Sequence, residues 1–251
     1  MKHIAFGSGK RNFVILPGLS VHSIMGAAEA IAAAYRDFTD GYTVYVFDRP
    51  DDIRNCRTVR DMAAETAAAM HDLHLTDADL FGASQGGMIA QYIAIDHPEL
   101  VRSLILGSTL AQPNDTFRAV IGEWVRRADV RDENGLLESF ADRVYSEATL
   151  QAYRETIISA NRGICEEEFR RFSVLAAACL SFDSRAELSS VRCPALVLGS
   201  EGDRVVTAEG SRQLAAGLGC ELYLYDSRYG HGVYDEAPDY RYRCLDFLRR
   251  H

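Results

Sequence analysis

The stretch Asp79-Leu80-Phe81-Gly82-Ala83-Ser84-Gln85-Gly86-Gly87-Met88-Ile89-Ala90 constrains this chain more than any other. It reads as a short apolar strand, a turn of small residues, and a helix whose apolar positions continue through Ala94. Ser84 stands at the centre of a G-x-S-x-G pattern, which suits a serine on a sharp strand-to-helix turn with its hydroxyl outward. Such a turn holds the serine in a sparsely populated backbone region. Tiny residues two positions away on each side, Gly82 and Gly86, relieve the crowding. Free N–H groups at the start of the following helix point at the same spot and favour an anion there. Taken alone, the stretch fits a glycine-rich connection in an ordinary βα unit equally well.

The surrounding chain alternates strand and helix. Residues 3–6 read as a short edge strand, and Gly7-Ser8-Gly9-Lys10 as a turn. The turn fails the spacing of a phosphate loop and carries Arg11 where a hydroxyl is required. Phe13 to Leu16 is a continuous apolar run, the mark of a strand buried on both faces, and it stops at Pro17-Gly18. Ala27 to Phe38 is alanine-rich and predicts a helix. Thr43 to Phe47 predicts a strand that ends in Asp48-Arg49-Pro50, with a charged loop after it carrying Asp51, Asp52 and Arg54. Val59 to Leu73 predicts a helix with Met62, Ala63, Thr66, Ala69 and Met70 on one stripe. His97-Pro98 closes the helix after Ser84, and Val101 to Leu106 is the next strand. This alternation predicts the α/β class, a mostly parallel sheet with helices on both faces. Ligands of such sheets sit at the carboxyl ends of strands, where Pro17-Gly18, Asp48 and Ser84 fall.

From about Gln112 to Phe182 no strand is legible. Helical patterns run instead over Phe117 to Ala128, Leu136 to Tyr145, Leu150 to Ala160 and Glu166 to Cys179. We expect an inserted helical cap at 112–182 and a core made of 1–111 and 183–251. The insert is rich in large side chains: Phe117, Trp124, Phe140, Tyr145, Tyr153, Phe169 and Phe172. Most of these must pack the helices together, and a few could line a pocket above Ser84. Beyond it, Ala195 to Gly199 predicts a buried strand and Ser200 to Asp203 the loop at its end. A helix over Ala208 to Leu218 and a strand over Glu221 to Tyr225 follow. The loop Asp226 to Gly232 carries His231 between two glycines, and a last helix spans Asp239 to Leu248.

A serine hydroxyl attacks poorly until a base takes its proton, and a buried carboxylate best fixes the tautomer of that base. Ser84, Asp203 and His231 occur in the order nucleophile, acid, histidine that follows a nucleophile elbow. Each lies in a loop at the carboxyl end of a predicted strand. Loop histidines are usually only solvated, but flanking glycines and chain order make His231 the best base among the seven histidines. Asp226 is a rival acid, and Asp203 is preferred. Two N–H groups must hold the developing oxyanion. Gln85, directly after the serine, supplies one. The loop after the Phe13 to Leu16 strand is expected to supply the other at Leu19, because Pro17 has no N–H and Gly18 permits close approach.

With these pieces in place the chain resembles the α/β-hydrolase superfamily, of the compact type with a helical cap. The resemblance rests on Leu16-Pro17-Gly18-Leu19, the Gly82 to Gly87 elbow, the segment His97 to Leu106, the segment Cys193 to Asp203, and Gly230-His231-Gly232. It covers both halves of the sheet and not the cap. It implies Ser84 as nucleophile, Asp203 as acid and His231 as base. The chain departs from the family in two places. Pro17-Gly18 stands where His-Gly is common, and the strands before the oxyanion loop are abbreviated. Serine at 84 argues against the dehalogenase and epoxide-hydrolase branches, which carry aspartate there. The expected chemistry is hydrolysis of a small ester, thioester or C–C bond through an acyl-enzyme, with no cofactor. The competing reading is a ligand-binding or signalling protein that keeps the fold with an idle triad.

Charge and cysteine usage exclude other classes. A net charge of −9 leaves no basic footprint for nucleic acid or anionic membrane. No apolar run approaches membrane-spanning length, and Met1 to Lys10 lacks the apolar run of a signal peptide. The six cysteines are scattered with no C-x-x-C, which predicts reduced thiols in a cytoplasmic protein. His71 and His74 lie three apart without a matching ligand pattern, so no metal site is expected. The expected partner is a small molecule with an apolar portion, and the oligomeric state is not legible.

Overall fold

In the computed structural model, which describes residues 1–50 and 52–251, the apolar runs of the sequence form the middle of a seven-stranded sheet. Asp51, in the charged loop, lies outside the described residues. The strands are β1 (His3–Phe6), β2 (Arg11–Leu16), β3 (Tyr42–Phe47), β4 (Ala78–Ala83), β5 (Val101–Gly107), β6 (Ala195–Ser200) and β7 (Glu221–Tyr225). Their order is β1-β3-β2-β4-β5-β6-β7, and every pairing is parallel except β1 with β3. Every residue of β4 and β6 is buried, as continuous apolar runs require when both faces of a sheet are covered.

Strand periodicity divides the core in two. Val14, Leu16, Leu80, Leu104, Leu106 and Val197 face one side, where they pack with residues of α2 (Val59–Asp72), α3 (Gln85–Asp96) and α8 (Thr207–Leu218). Phe13, Ile15, Phe81, Ile105, Leu196 and Leu198 face the other, against α1 (Ala28–Ala34), the short α9 (Val233–Glu236) and α10 (Tyr240–Arg250). The helix predicted over Ala27 to Phe38 is broken: single 3-10 turns at Ile24–Ala27 and Arg36–Phe38 flank α1. Alanine favours helix, but α1 buries none of its residues. Packing of the buried Phe38 wins instead, its ring stacking on Phe13 at 4.8 Å.

Between β5 and β6 lie α4 (Asp115–Asp129), α5 (Glu133–Val144), α6 (Glu147–Ala160) and α7 (Glu166–Cys179). Polar side chains fix their starts. Asn114, Asp132 and Ser146 accept the N–H groups of Phe117, Gly135 and Thr149, and Glu168 reaches back to the Cys165 N–H. Phe117, Trp124, Phe169 and Phe172 are buried packing residues, and Tyr153 is exposed. Among the described residues no helix is long and apolar enough to cross a membrane.

Candidate active site

Strand β4 runs straight into α3, and Ser84 is the corner. Its φ of +51° and ψ of −117° lie where a non-glycine residue rarely sits. Surrounding bonds hold it there. The Ser84 N–H donates to Gly107 O at 2.8 Å, and the Ser84 carbonyl accepts from the Thr109 hydroxyl at 2.8 Å and the Gly87 N–H at 2.9 Å. A Cβ on Gly82 would come within 2.4 Å of Gly86 O, and one on Gly86 within 1.9 Å of Leu16 O. Gly86→Ala therefore forces β2 and α3 apart. We expect a loss on the order of 3 kcal/mol, or about 6–12 °C in the thermal midpoint followed by circular dichroism; a shift under about 2 °C would contradict the contact.

The other predicted side chains reach the same corner. His231, in the loop after β7, places Nε2 3.0 Å from Ser84 Oγ and Nδ1 2.9 Å from Asp203 Oδ2. A carboxylate only accepts, so Nδ1 carries the proton and Nε2 is free to accept the serine O–H. Asp203 follows β6, and its Oδ1 accepts the Val205 and Val206 N–H groups at 2.8 and 2.9 Å. Burial opposes ionisation of Asp203, but the electrostatic attraction and hydrogen bond of the His231 Nδ1–H together with these N–H groups outweigh it and hold the carboxyl below its ordinary range. Asp226 is instead half-exposed and paired with Arg228.

The backbone around His231 is moored as well. Ser108 donates to His231 O at 2.7 Å, and the Gly232 N–H donates to Val144 O at 2.7 Å. Glu236 of α9 bridges the remainder: its carboxylate accepts the Gly230 N–H at 2.6 Å and the Ser146 N–H, at the α5–α6 corner, at 2.7 Å.

Gln85 is the first residue of α3, so its N–H has no acceptor within the helix. Gly18 lies beside the serine, where an added Cβ would be 3.4 Å from Ser84 Cβ. A cavity of about 220 Å³ opens on this loop. Its walls are the Pro17–Val21 segment, Ile24, residues of α5 and α6 with their ends, and Tyr234, and among the described residues they include no Asp, Glu, Lys, Arg or His. Of the seven large side chains noted between residues 112 and 182, Phe140 and Tyr145 line it.

Sequence reasoning passed over the polar frame behind the loop. On α7, Glu168, Arg171, Leu175 and Cys179 share one face at helical spacing. Glu168 takes His22 Nδ1 at 2.7 Å, Arg171 pairs with the buried Asp48 at 2.9 Å, and the Leu175 carbonyl and Cys179 sulfur receive the Gln85 amide at 2.7 and 3.1 Å. Asp48 also accepts the Ser23 hydroxyl at 2.5 Å, and Arg49 beside it is buried. A charged pair directly after an apolar strand, at the sheet's carboxyl edge, was the available signal. His71 meets His97 and Glu99 rather than His74, with candidate ligand atoms within 4.8 Å of one another on the surface. None of the three lines the cavity.

The chain is similar in sequence and in fold to known proteins. The candidate carbamate hydrolase RutD of Caulobacter sp. strain K31 is 27% identical over 226 residues, covering 82% of this chain and 81% of its own. A 2-hydroxy-6-oxononadienedioate/2-hydroxy-6-oxononatrienedioate hydrolase of Pseudomonas sp. is 27% identical over 232 residues, covering 84% and 78%. The crystal structure of MGS-M2, an alpha/beta hydrolase from a Medee basin deep-sea metagenome library, superposes with a TM-score of 0.86 at 17% identity, covering 98% of this chain and 93% of its own, a likeness of fold. Residues 13–242 match the alpha/beta hydrolase family, and the chain belongs to that family.

Proposed function

We propose that this protein is a serine hydrolase that cleaves a small neutral ester, thioester or activated C–C bond through an acyl-enzyme on Ser84. The observation that carries the reading is the unbroken hydrogen-bonded chain Asp203–His231–Ser84 beside the cavity loop. Ser84 Oγ attacks the carbonyl carbon as His231 Nε2 takes its proton, and Asp203 stabilises the imidazolium. The oxyanion is held by the Gln85 N–H and, from the opposite loop, the Leu19 N–H. Collapse expels the leaving group, which takes the proton from His231. Water then attacks the acyl-enzyme by the same route. No cofactor enters these steps. In this reading residues 112–182 are a cap on a core of 1–111 and 183–251, and the free, scattered cysteines support a cytoplasmic location.

The cavity narrows the substrate. The Pseudomonas relative is named for a dicarboxylate. Here the described residues of the lining offer no cation to an anionic substrate group, and an unpaired carboxylate would lose several kcal/mol on entering. A panel of chromogenic esters checks this. We expect neutral acyl chains of moderate length to exceed carboxylate-bearing chains of equal length by roughly 100-fold or more in kcat/KM. Equal rates would refute the neutral-substrate reading. A fluorophosphonate probe should label Ser84, as shown by peptide mapping; an unlabelled Ser84 in folded protein would count against hydrolysis altogether and favour the ligand-binding alternative.

A further inference from the structure

The two oxyanion donors of the hydrolase reading, on which this inference rests, lie on separate segments. Leu19 belongs to the loop after β2, and Gln85 opens α3. One side chain touches both. The buried Arg49 guanidinium donates through Nη2 to Pro17 O and reaches Gly18 O at 3.4 Å, while Nε donates to Gln85 Oε1 at 2.8 Å.

Peptide geometry converts these contacts into an orientation. In a trans peptide the carbonyl of one residue and the N–H of the next point in opposite directions, and none of the described peptide bonds is cis. Carbonyls of Pro17 and Gly18 drawn toward the guanidinium turn the N–H groups of Gly18 and Leu19 away from it. Gly18 itself abuts Ser84 and the cavity, and the turned N–H groups are assigned to that side. A cation on the carbonyl end also polarises the peptide and strengthens its N–H as a donor.

We propose that Arg49 is the positioning residue of the oxyanion hole, one planar fork that locks the Pro17–Leu19 loop and the start of α3 into a single unit. Three features support this. Pro17 brings neither an N–H nor a polar side chain, so the loop's carbonyls depend on a donor from elsewhere in the fold. A buried guanidinium is costly, and two carbonyls and an amide oxygen could be satisfied by neutral donors or water at lower cost. Only arginine spans both segments with donors in fixed mutual geometry. Burial lowers the Arg49 pKa to about 10, and the neighbouring Asp48 opposes that shift, so the fork stays cationic at neutral pH. Asp48 accepts the Arg49 backbone N–H at 2.7 Å and the Arg171 guanidinium at 2.9 Å, so one carboxylate stands beside both cations.

The test compares wild type with Arg49→Lys, which keeps the charge and loses the fork, and with Gln85→Met, which cuts the same link from the other end. Each is assayed with a neutral p-nitrophenyl ester, with rates corrected for folded sites by fluorophosphonate titration at Ser84, and with a trifluoromethyl ketone as a mimic of the tetrahedral adduct. We expect Arg49→Lys to lower corrected kcat by about 100-fold with KM within about 2-fold, and ketone affinity to fall in parallel. Gln85→Met should lose about 10-fold in kcat with the same signature. Corrected kcat and ketone affinity near wild type in both variants would overturn the proposal, as would a loss confined to the number of folded sites. Wild-type protein that takes no label at Ser84 would overturn the hydrolase reading and this proposal with it, whereas labelled wild type with unaffected variants overturns this proposal alone.

Discussion

Ser84→Ala is expected to lower kcat for ester hydrolysis by about 10⁴–10⁶-fold and to abolish fluorophosphonate labelling, while the protein stays folded. The chemistry has no substitute nucleophile. The Cβ remains, so packing at the corner is kept. The bonds that pin residue 84 run through its N–H and carbonyl, which alanine retains. Alanine at φ +51° is strained about as serine is, so the thermal midpoint should move by only a few degrees, equivalent to about 1 kcal/mol. The same variant separates hydrolysis from a binding role. A variant that turns over ester at more than about a hundredth of the wild-type rate would disprove Ser84 as nucleophile.

Asp203→Asn should cost about 10⁴-fold in kcat. An asparagine amide at the Asp203 position can donate to His231 Nδ1. The imidazole proton then moves to Nε2, and the nitrogen facing Ser84 can no longer accept the hydroxyl proton. Asp226→Asn is the control. Its carboxylate pairs with Arg228 at the surface, and its activity should stay near wild type. A pH series adds a second readout. The folded carboxyl of Asp203 sits below its ordinary value. Its contribution to stability is therefore present above the normal carboxylate range, near pH 4, and is lost as pH falls through the depressed value. Asp203→Asn should flatten the acid limb of the stability curve, and an unchanged limb together with retained activity would remove Asp203 from the proposed machinery.

What the sequence revealed was local. Strand β4, the serine corner and α3 are contiguous, and a continuous apolar run or a G-x-S-x-G turn carries its own geometry. The order Ser84, Asp203, His231 was legible because loops at the carboxyl ends of parallel strands share one rim. Packing across distance was not. The break on either side of α1 depends on Phe38 finding Phe13 on the sheet face beneath it, which no helix propensity encodes. The polar frame was hidden for the same reason. Arg171 meets Asp48 across 123 residues, and His22 meets Glu168 across 146. The stripe Glu168, Arg171, Leu175, Cys179 is periodic in the sequence, but its partners are not named there. The aromatic content of the segment between β5 and β6 could not be sorted either, because the residue types alone do not separate Trp124, buried against Phe140, from Tyr145 on the cavity wall.

Glu236 ties the His231 loop and the α5–α6 corner to one carboxylate. That shared anchor limits how this enzyme can diversify. Under the proposed mechanism, grafting a foreign helical pair in place of α5 and α6 would detach the proposed general base along with this cavity wall, so specificity and reactivity could not be exchanged as separate modules. Single replacements at inward-facing positions such as Leu137 and Phe140 leave the anchor intact. New substrate preferences are therefore open to stepwise evolution and closed to wholesale swapping.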